Sequence, residues 1–246
     1  MSKALCTVTV GILDWEAWAP GLADHEAWRA WAGGGQGVPR DDGSSPAVGP
    51  MAPSLRRRAG RNDRLGLEVA WRLSGPEGSS AAVFGSRHGQ VARSAVLLES
   101  LAQGLPLSPM DFSLSVHNAS GGLFSIARQD RSASSAVAAS GEELAAALLE
   151  AAGLLLEGAP EVLVSVHDEP PPPLYDGHWG REDGSFGLGL RLAAAGGARL
   201  TMSLMESGPE DEGAVQGLEL ARLLARGQGL ARWARAGRAW VWELGA

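Results

Sequence analysis

The sequence predicts an α/β layer fold with a mixed sheet, and three observations carry that prediction. Apolar, β-branched runs of strand length alternate with helical-period segments from residue 4 to residue 168. Beyond residue 185 the pattern switches to an antiparallel hairpin signature. A hydrophobic content of 45% over 246 residues is enough to bury one sizeable core, so a single domain over residues 1–246 is expected.

The elements follow in order. Ala4 to Leu13, "ALCTVTVGIL", is nearly continuous and β-branched, which predicts a central strand covered on both faces. Asp24 precedes a short helix in which Trp28 and Trp31 share a face, and the glycines at 33–35 end it. Residues 33–53 are rich in Gly, Pro, Ser and Asp without period and are expected to form a mobile loop. Leu55, Leu65, Val69 and Leu73 recur at helical stagger over residues 54–73, with Gly60 and Gly66 as weak points. A buried strand at "SAAVFGS" comes next, then an amphipathic helix over 88–103 stopped by Gly104 and Pro106. A helix over 116–128, a strand over 133–139, a helix over 141–157 and a strand over 160–168 complete the alternating part. The prolines at 170–173 force an extended loop. The tail reads as two strands turning at Gly196 and Gly197, a helix over 214–226, and a last strand in which Trp240 and Trp242 share a face.

Composition excludes several classes. A net charge of −7, with one short arginine cluster, argues against nucleic-acid binding. The single cysteine, Cys6, excludes an internal disulfide framework and a Cys-based zinc site, fits a reducing cytoplasm, and reads as a small buried hydrophobe. No window has the ~20 apolar residues of a membrane span, and the first residues lack the length of a secretory signal. The five histidines, at 25, 88, 117, 167 and 178, show no metal-ligand spacing, and "VHDE" at 166–169 reads as a polar strand end. "GSRHG" is not a nucleophile elbow, and "GLGLRL" lacks the third glycine of a phosphate loop. No cofactor or metal is expected. At the junction "AASGEE", Ser140 and Glu143 have the spacing of a capping box at the start of a helix.

One stretch is distinctive: "SRHG", a helix with "LLE" at its core, and then "PLSPMDFSLSVHNASGGLFSIAR". These phrases, with "PGLADHEAWRAWA", "RRRAGRNDRLGLEVA" and the terminal "RAWVWEL", resemble the ketosynthase-like chain-length factors of aryl polyene and related bacterial type II polyketide clusters. The resemblance covers nearly the whole chain. That family is similar to the N-terminal half of the thiolase-fold β-ketoacyl synthases, which implies here a five-stranded mixed sheet with an added hairpin, helix and strand.

The resemblance places the position of the ketosynthase nucleophilic cysteine at Gly141, give or take one residue, so the turn at Ser140 and Gly141 has no cysteine in it. It also implies no catalytic histidine pair, because ketosynthases carry theirs in a C-terminal half. The implied role is a non-catalytic partner of an active β-ketoacyl-acyl carrier protein synthase. The strand Ala133, Ser134, Ser135, Ala136, Val137, Ala138 and Ala139 would pair across the interface, and Met110, Phe112, His117 and Phe124 would protrude as walls of the acyl tunnel. Arg56, Arg57, Arg58, Arg61 and Arg64 would meet the acidic acyl carrier protein, or form a solvated, internally paired helix face. Two alternatives stay open: a stand-alone acyl-thioester transferase or hydrolase using Ser140 or His88, and a scaffold that tethers carrier proteins.

Overall fold

The structure, a computed structural model, describes residues 4–34, 37–75, 81–175, 184–206 and 215–245. Eight strands form one mixed sheet in the order β3-β2-β4-β5-β1-β6-β8-β7. They are β1 (Ala4–Trp18), β2 (Ala81–Gly85), β3 (Ser134–Val137), β4 (Val162–Asp168), β5 (Phe186–Ala193), β6 (Ala198–Glu206), β7 (Gly229–Arg235) and β8 (Arg238–Gly245). β2, β3 and β4 are parallel, and every other neighbouring pair is antiparallel. The helices are α1 (His25–Gly33), α2 (Pro53–Arg56), α3 (Arg61–Leu73), α4 (Val91–Ala102), α5 (Pro109–Ser113), α6 (Ala119–Arg128), α7 (Glu143–Leu156) and α8 (Gln216–Arg226).

The core lies on both faces of the sheet. Leu144, Leu148 and Ala151 of α7 and Leu218 and Leu220 of α8 pack on Val164, Leu188, Leu190 and Trp242. On the other face α3 and α6 bring Leu67, Ala70, Leu123 and Phe124 against Ala82, Phe84 and Leu163. α3 sits close to β4 because Gly66 has no side chain: a Cβ there would stand 2.4 Å from Nδ1 of His167. The Asp24 side chain accepts from the Ala27 amide to start α1, and Trp28 is buried as its phase required. The turn between β5 and β6 falls at Gly196 and Gly197, both at positive φ, and Trp240 and Trp242 share the buried face of β8.

Five expectations are corrected by packing. The sheet has eight strands, because β1, β6, β8 and the unpredicted β7 extend it beyond five. β1 is central, but Ala4 to Thr7 and Thr9 are exposed and burial begins in earnest at Val10, so Cys6 is exposed rather than a core residue. Residues 37–52 are tied down: Asp41 pairs with Arg61, the Val48 amide donates to Glu68 at 2.7 Å, and Val48 and Met51 are buried. The helix foreseen over 54–73 breaks into α2 and α3 at Ala59 and Gly60. Ser140 caps nothing. The N-cap of α7 is Glu142, and it is the Glu143 carboxylate that reaches back to the Ala139 and Gly141 amides.

Candidate functional site

The loops after β2 and β3 meet the end of β4 at the carboxyl edge of the parallel strands, where α/β sheets place their sites. Asp168, the last residue of β4, is fully buried. Its carboxylate accepts from the Ser86 hydroxyl at 2.8 Å and from the Arg87 and His88 amides at 2.8 and 3.0 Å. Burial pushes this carboxyl up to about 7, and the Glu143 charge adds to the effect of burial. Glu143, also buried, accepts from the Gly141 amide at 2.7 Å and the Ala139 amide at 3.2 Å. Each carboxylate therefore fixes one loop by its backbone N–H groups.

Between them lies a cavity of about 50 Å³ lined by Arg87, Gly141, Glu143, Asp168, Trp233 and Arg235, among others. The turn over it runs through positive φ, 51° at Ser140 and 103° at Gly141, where the serine is the strained residue. The β7–β8 hairpin closes it. Arg235 Nη1 donates to the Ser140 carbonyl at 2.7 Å, and a Cβ on residue 141 would stand 2.4 Å from that nitrogen. Trp240 Nε1 donates to Glu142 at 2.8 Å on the same side. Ser140 itself is exposed, and His88 belongs to the other loop, held by its amide to Asp168.

A second buried polar cluster adjoins the first. Asp63 accepts from the Gly60 amide, Gln90 and the Ser120 hydroxyl at 2.9, 2.8 and 2.8 Å. Ser120 lies 3.2 Å from His167 Nε2, and burial drives that imidazole down to about 4. Asn62 Nδ2 donates to the Ser86 hydroxyl and the Gly89 carbonyl. Reading "VHDE" as a polar strand end missed these groups; the available signal was polar residues ending an otherwise apolar run.

The remaining expected site residues fall into distinct places. β3 is the edge of the sheet, and its regular strand covers Ser134–Val137, leaving Ala133, Ala138 and Ala139 as flanks. Because Ala82 and Ser86 donate to the carbonyls of Ala133 and Val137, the backbone groups of Ser134 and Ala136 face outward. Met110 and Phe112 are exposed, at 49% and 66%. His117 is half-buried, with Nε2 2.8 Å from the Ser86 carbonyl. Phe124 does not protrude: it is 6% exposed, wedged between Phe84 and Trp71, with the Arg128 guanidinium over its ring. The arginine cluster divides. Arg61 binds Asp41 and Glu169, Arg64 donates to the Ala59 and Arg56 carbonyls, and Arg56 donates to the Gly49 carbonyl, while Arg57 and Arg58 are exposed. Among the described residues no cluster of three His, Cys, Asp or Glu could hold a metal, and no helix is long and apolar enough to cross a membrane.

Residues 28–243 match the family described as β-ketoacyl synthase, N-terminal domain. The chain belongs to that family. Its ketosynthase-like fold is the thiolase-like half-fold. A chain of the ketosynthase ApeO in complex with its chain length factor ApeC, from Xenorhabdus doucetiae, superposes with a TM-score of 0.86 and 28% identity, covering 96% of this chain and 99% of that one. A chain of the ishigamide ketosynthase/chain length factor superposes at 0.73 with 15% identity and the same coverage. Ketosynthase twelve of the bacillaene synthase of Bacillus amyloliquefaciens is matched over 82% of this chain but 46% of its own, at 14% identity and a TM-score of 0.56. The fold thus corresponds to about half of that ketosynthase chain. The comparison with curated proteins finds no match.

Proposed function

We propose that this ketosynthase-like protein is a chain-length factor: it pairs with an active β-ketoacyl-acyl carrier protein synthase and shapes that enzyme's acyl tunnel. The products would be aryl polyene, polyketide or fatty-acid-like chains. The observation that carries the reading is the open edge of the sheet at β3. The outward backbone groups of β3 are unpaired within the sheet, and residues 91–118 are all half-buried or exposed. An edge strand with open N–H and C=O groups is a template for strand addition by another chain. Apolar side chains standing in solvent on α4 and α5 supply the area that a four-residue strand lacks.

Chemistry would stay with the partner. At residue 141 the glycine stands at φ 103° with an arginine in the space a side chain would take, so no nucleophile fits at that position. This chain would contribute a wall. Met110 and Phe112 on α5 would meet the growing acyl chain, and overfilling a packed space costs ~1–3 kcal/mol, enough to bias where extension stops. His117 would stand behind them. Carrier-protein contact would rest on Arg57 and Arg58, whose charge complements an acidic domain and raises its on-rate. A reducing cytoplasm is the expected setting.

The test is co-expression of the tagged chain with the ketosynthase encoded beside it, followed by size-exclusion chromatography with mass determination. A one-to-one complex is expected, lost in Ala136→Pro, which removes an outward N–H without touching the bonds to β2. Elution of the chain alone, with no ketosynthase retained, would refute the reading.

A further inference from the structure

α5 presents a physical puzzle. It is five residues long, buries nothing, and still has to hold Met110 and Phe112 in place. Apolar packing holds its C-cap, where Leu114 is partly buried against the cluster of Leu123 and Phe124; the five helical residues themselves are held by polar contacts. Within the helix the Ser108 hydroxyl accepts from the Asp111 amide at 3.2 Å, which shapes the turn but attaches it to nothing. The polar attachment is Arg93 on α4. Its Nη1 donates to Asp111 Oδ1 at 2.5 Å and its Nη2 to the Arg58 carbonyl, just past α2, at 2.9 Å. One planar guanidinium thus joins α4, the segment after α2, and α5. A lysine could not satisfy a carboxylate and a carbonyl in two fixed directions at once.

Two details point to position rather than stability as the purpose. Arg93 Nε is buried without a partner, a cost to folding that the two Nη contacts do not require in principle. Asp111 is also the residue between Met110 and Phe112, so the stretch of backbone held through its carboxylate is the one that bears both side chains. The far end of the same arm is held by His117 on the Ser86 carbonyl, and its near end by Gln90 on Asp63. Between those two pins, Arg93, itself on the arm, ties α5 to the Arg58 carbonyl in the body of the protein.

We infer that Arg93 is a positioning residue: through Asp111 it sets where the Met110 and Phe112 wall stands, and so the length at which products stop growing. This rests on the chain-length reading above. The helix contributes little to folding, so loosening it should change products more than stability.

The experiment compares Arg93→Lys, Asp111→Asn, the double variant and Phe112→Ala. Each is co-purified with the ketosynthase and supplied with starter and malonyl thioesters on acyl carrier protein. Product lengths are read by mass spectrometry, and the melting temperature and complex mass are read in parallel. Arg93→Lys and Asp111→Asn are expected to keep the complex and its melting temperature. Each should shift the ratio of the two longest products by roughly fivefold, the effect of one weakened charge-assisted bond. The double variant should match either single one, because the pair acts as a unit. If Phe112→Ala changes product length while the Arg93 and Asp111 variants do not, the positioning role is wrong and the wall stands. If the Arg93 and Asp111 variants lose the complex or the fold, Arg93 is structural and the inference is overturned. If Phe112→Ala leaves products unchanged in an intact complex, the wall reading fails and this inference fails with it.

Discussion

Gly141→Ala is expected to destabilise the protein by about 2–4 kcal/mol, and each part of that figure has a visible source. The residue sits at φ 103°, a conformation that costs a side-chain-bearing residue roughly 1–3 kcal/mol. The new methyl would lie 2.4 Å from Arg235 Nη1, so the guanidinium must swing away and give up its bond to the Ser140 carbonyl. That bond is exposed to solvent and contributes about 0.5–1.5 kcal/mol. In a domain of this size the sum lowers the melting temperature by roughly 5–15 °C, readable by circular dichroism. A double-mutant cycle separates the two parts: in an Arg235→Ala background the steric part vanishes and the backbone strain remains, a coupling of about 1 kcal/mol. Ser140→Cys is the control. It is exposed and already at positive φ without glycine, so it should stay within about 0.5 kcal/mol of the parent. A Gly141→Ala variant as stable as the parent, or one whose cost is unchanged when Arg235 is removed, would refute the account of a turn closed by the hairpin.

Further expectations concern titration, packing and charge. The raised Asp168 makes the folded state hold a proton that the unfolded chain has released, so its contribution to stability is lost as pH rises from about 4 to about 7. His167, lowered to about 4, works in reverse: its contribution is full above about 6.5 and is lost as pH falls from there towards 4. Urea midpoints at several pH values should therefore fall more steeply towards acid in Asp168→Asn than in the parent, and less steeply in His167→Asn; parallel slopes would contradict both assignments. Gly66→Ala should cost about 3 kcal/mol, because the buried His167 ring has no free direction in which to yield, and a melt unchanged within ~2 °C would show that it does. Arg57→Glu with Arg58→Glu should leave the melt unaltered and slow carrier-protein association about tenfold at low salt, an effect that stopped-flow at high salt should erase.

What the sequence displayed and what it hid divide along a physical line. β4, α7 and the hairpin at Gly196–Gly197 were legible because each is fixed by its own residues: an apolar run, a helical period, a pair of glycines at positive φ. β7 was not, because "GLARWAR" buries Trp233 and the small Ala234, half-buries Ala231, and leaves its one leucine, Leu230, in solvent. The resemblance drew attention to the turn at Ser140 and Gly141, which the structure holds at positive φ. Its closure by Arg235 was not, since that residue comes from a hairpin more than ninety positions away. Phe124 and Phe112 show the same limit in one short span. They are the same residue type twelve positions apart, one inside the core and one in solvent, and the difference lies in Trp71 and Phe84, contributed by other elements. Asp63, Asp168 and His167 look like ordinary ends of helices and strands until tertiary structure brings their partners to them.

An amphipathic helix with no buried residue has one more consequence, for the economy of the cell. A surplus copy of such a subunit offers proteases a loosely attached helix and offers other chains an open strand edge. Its lifetime would then be set by how quickly it meets a partner, and synthesis in excess would correct itself by degradation. Under the pairing proposed here, the chain would carry its own stoichiometric control in the face it cannot bury alone.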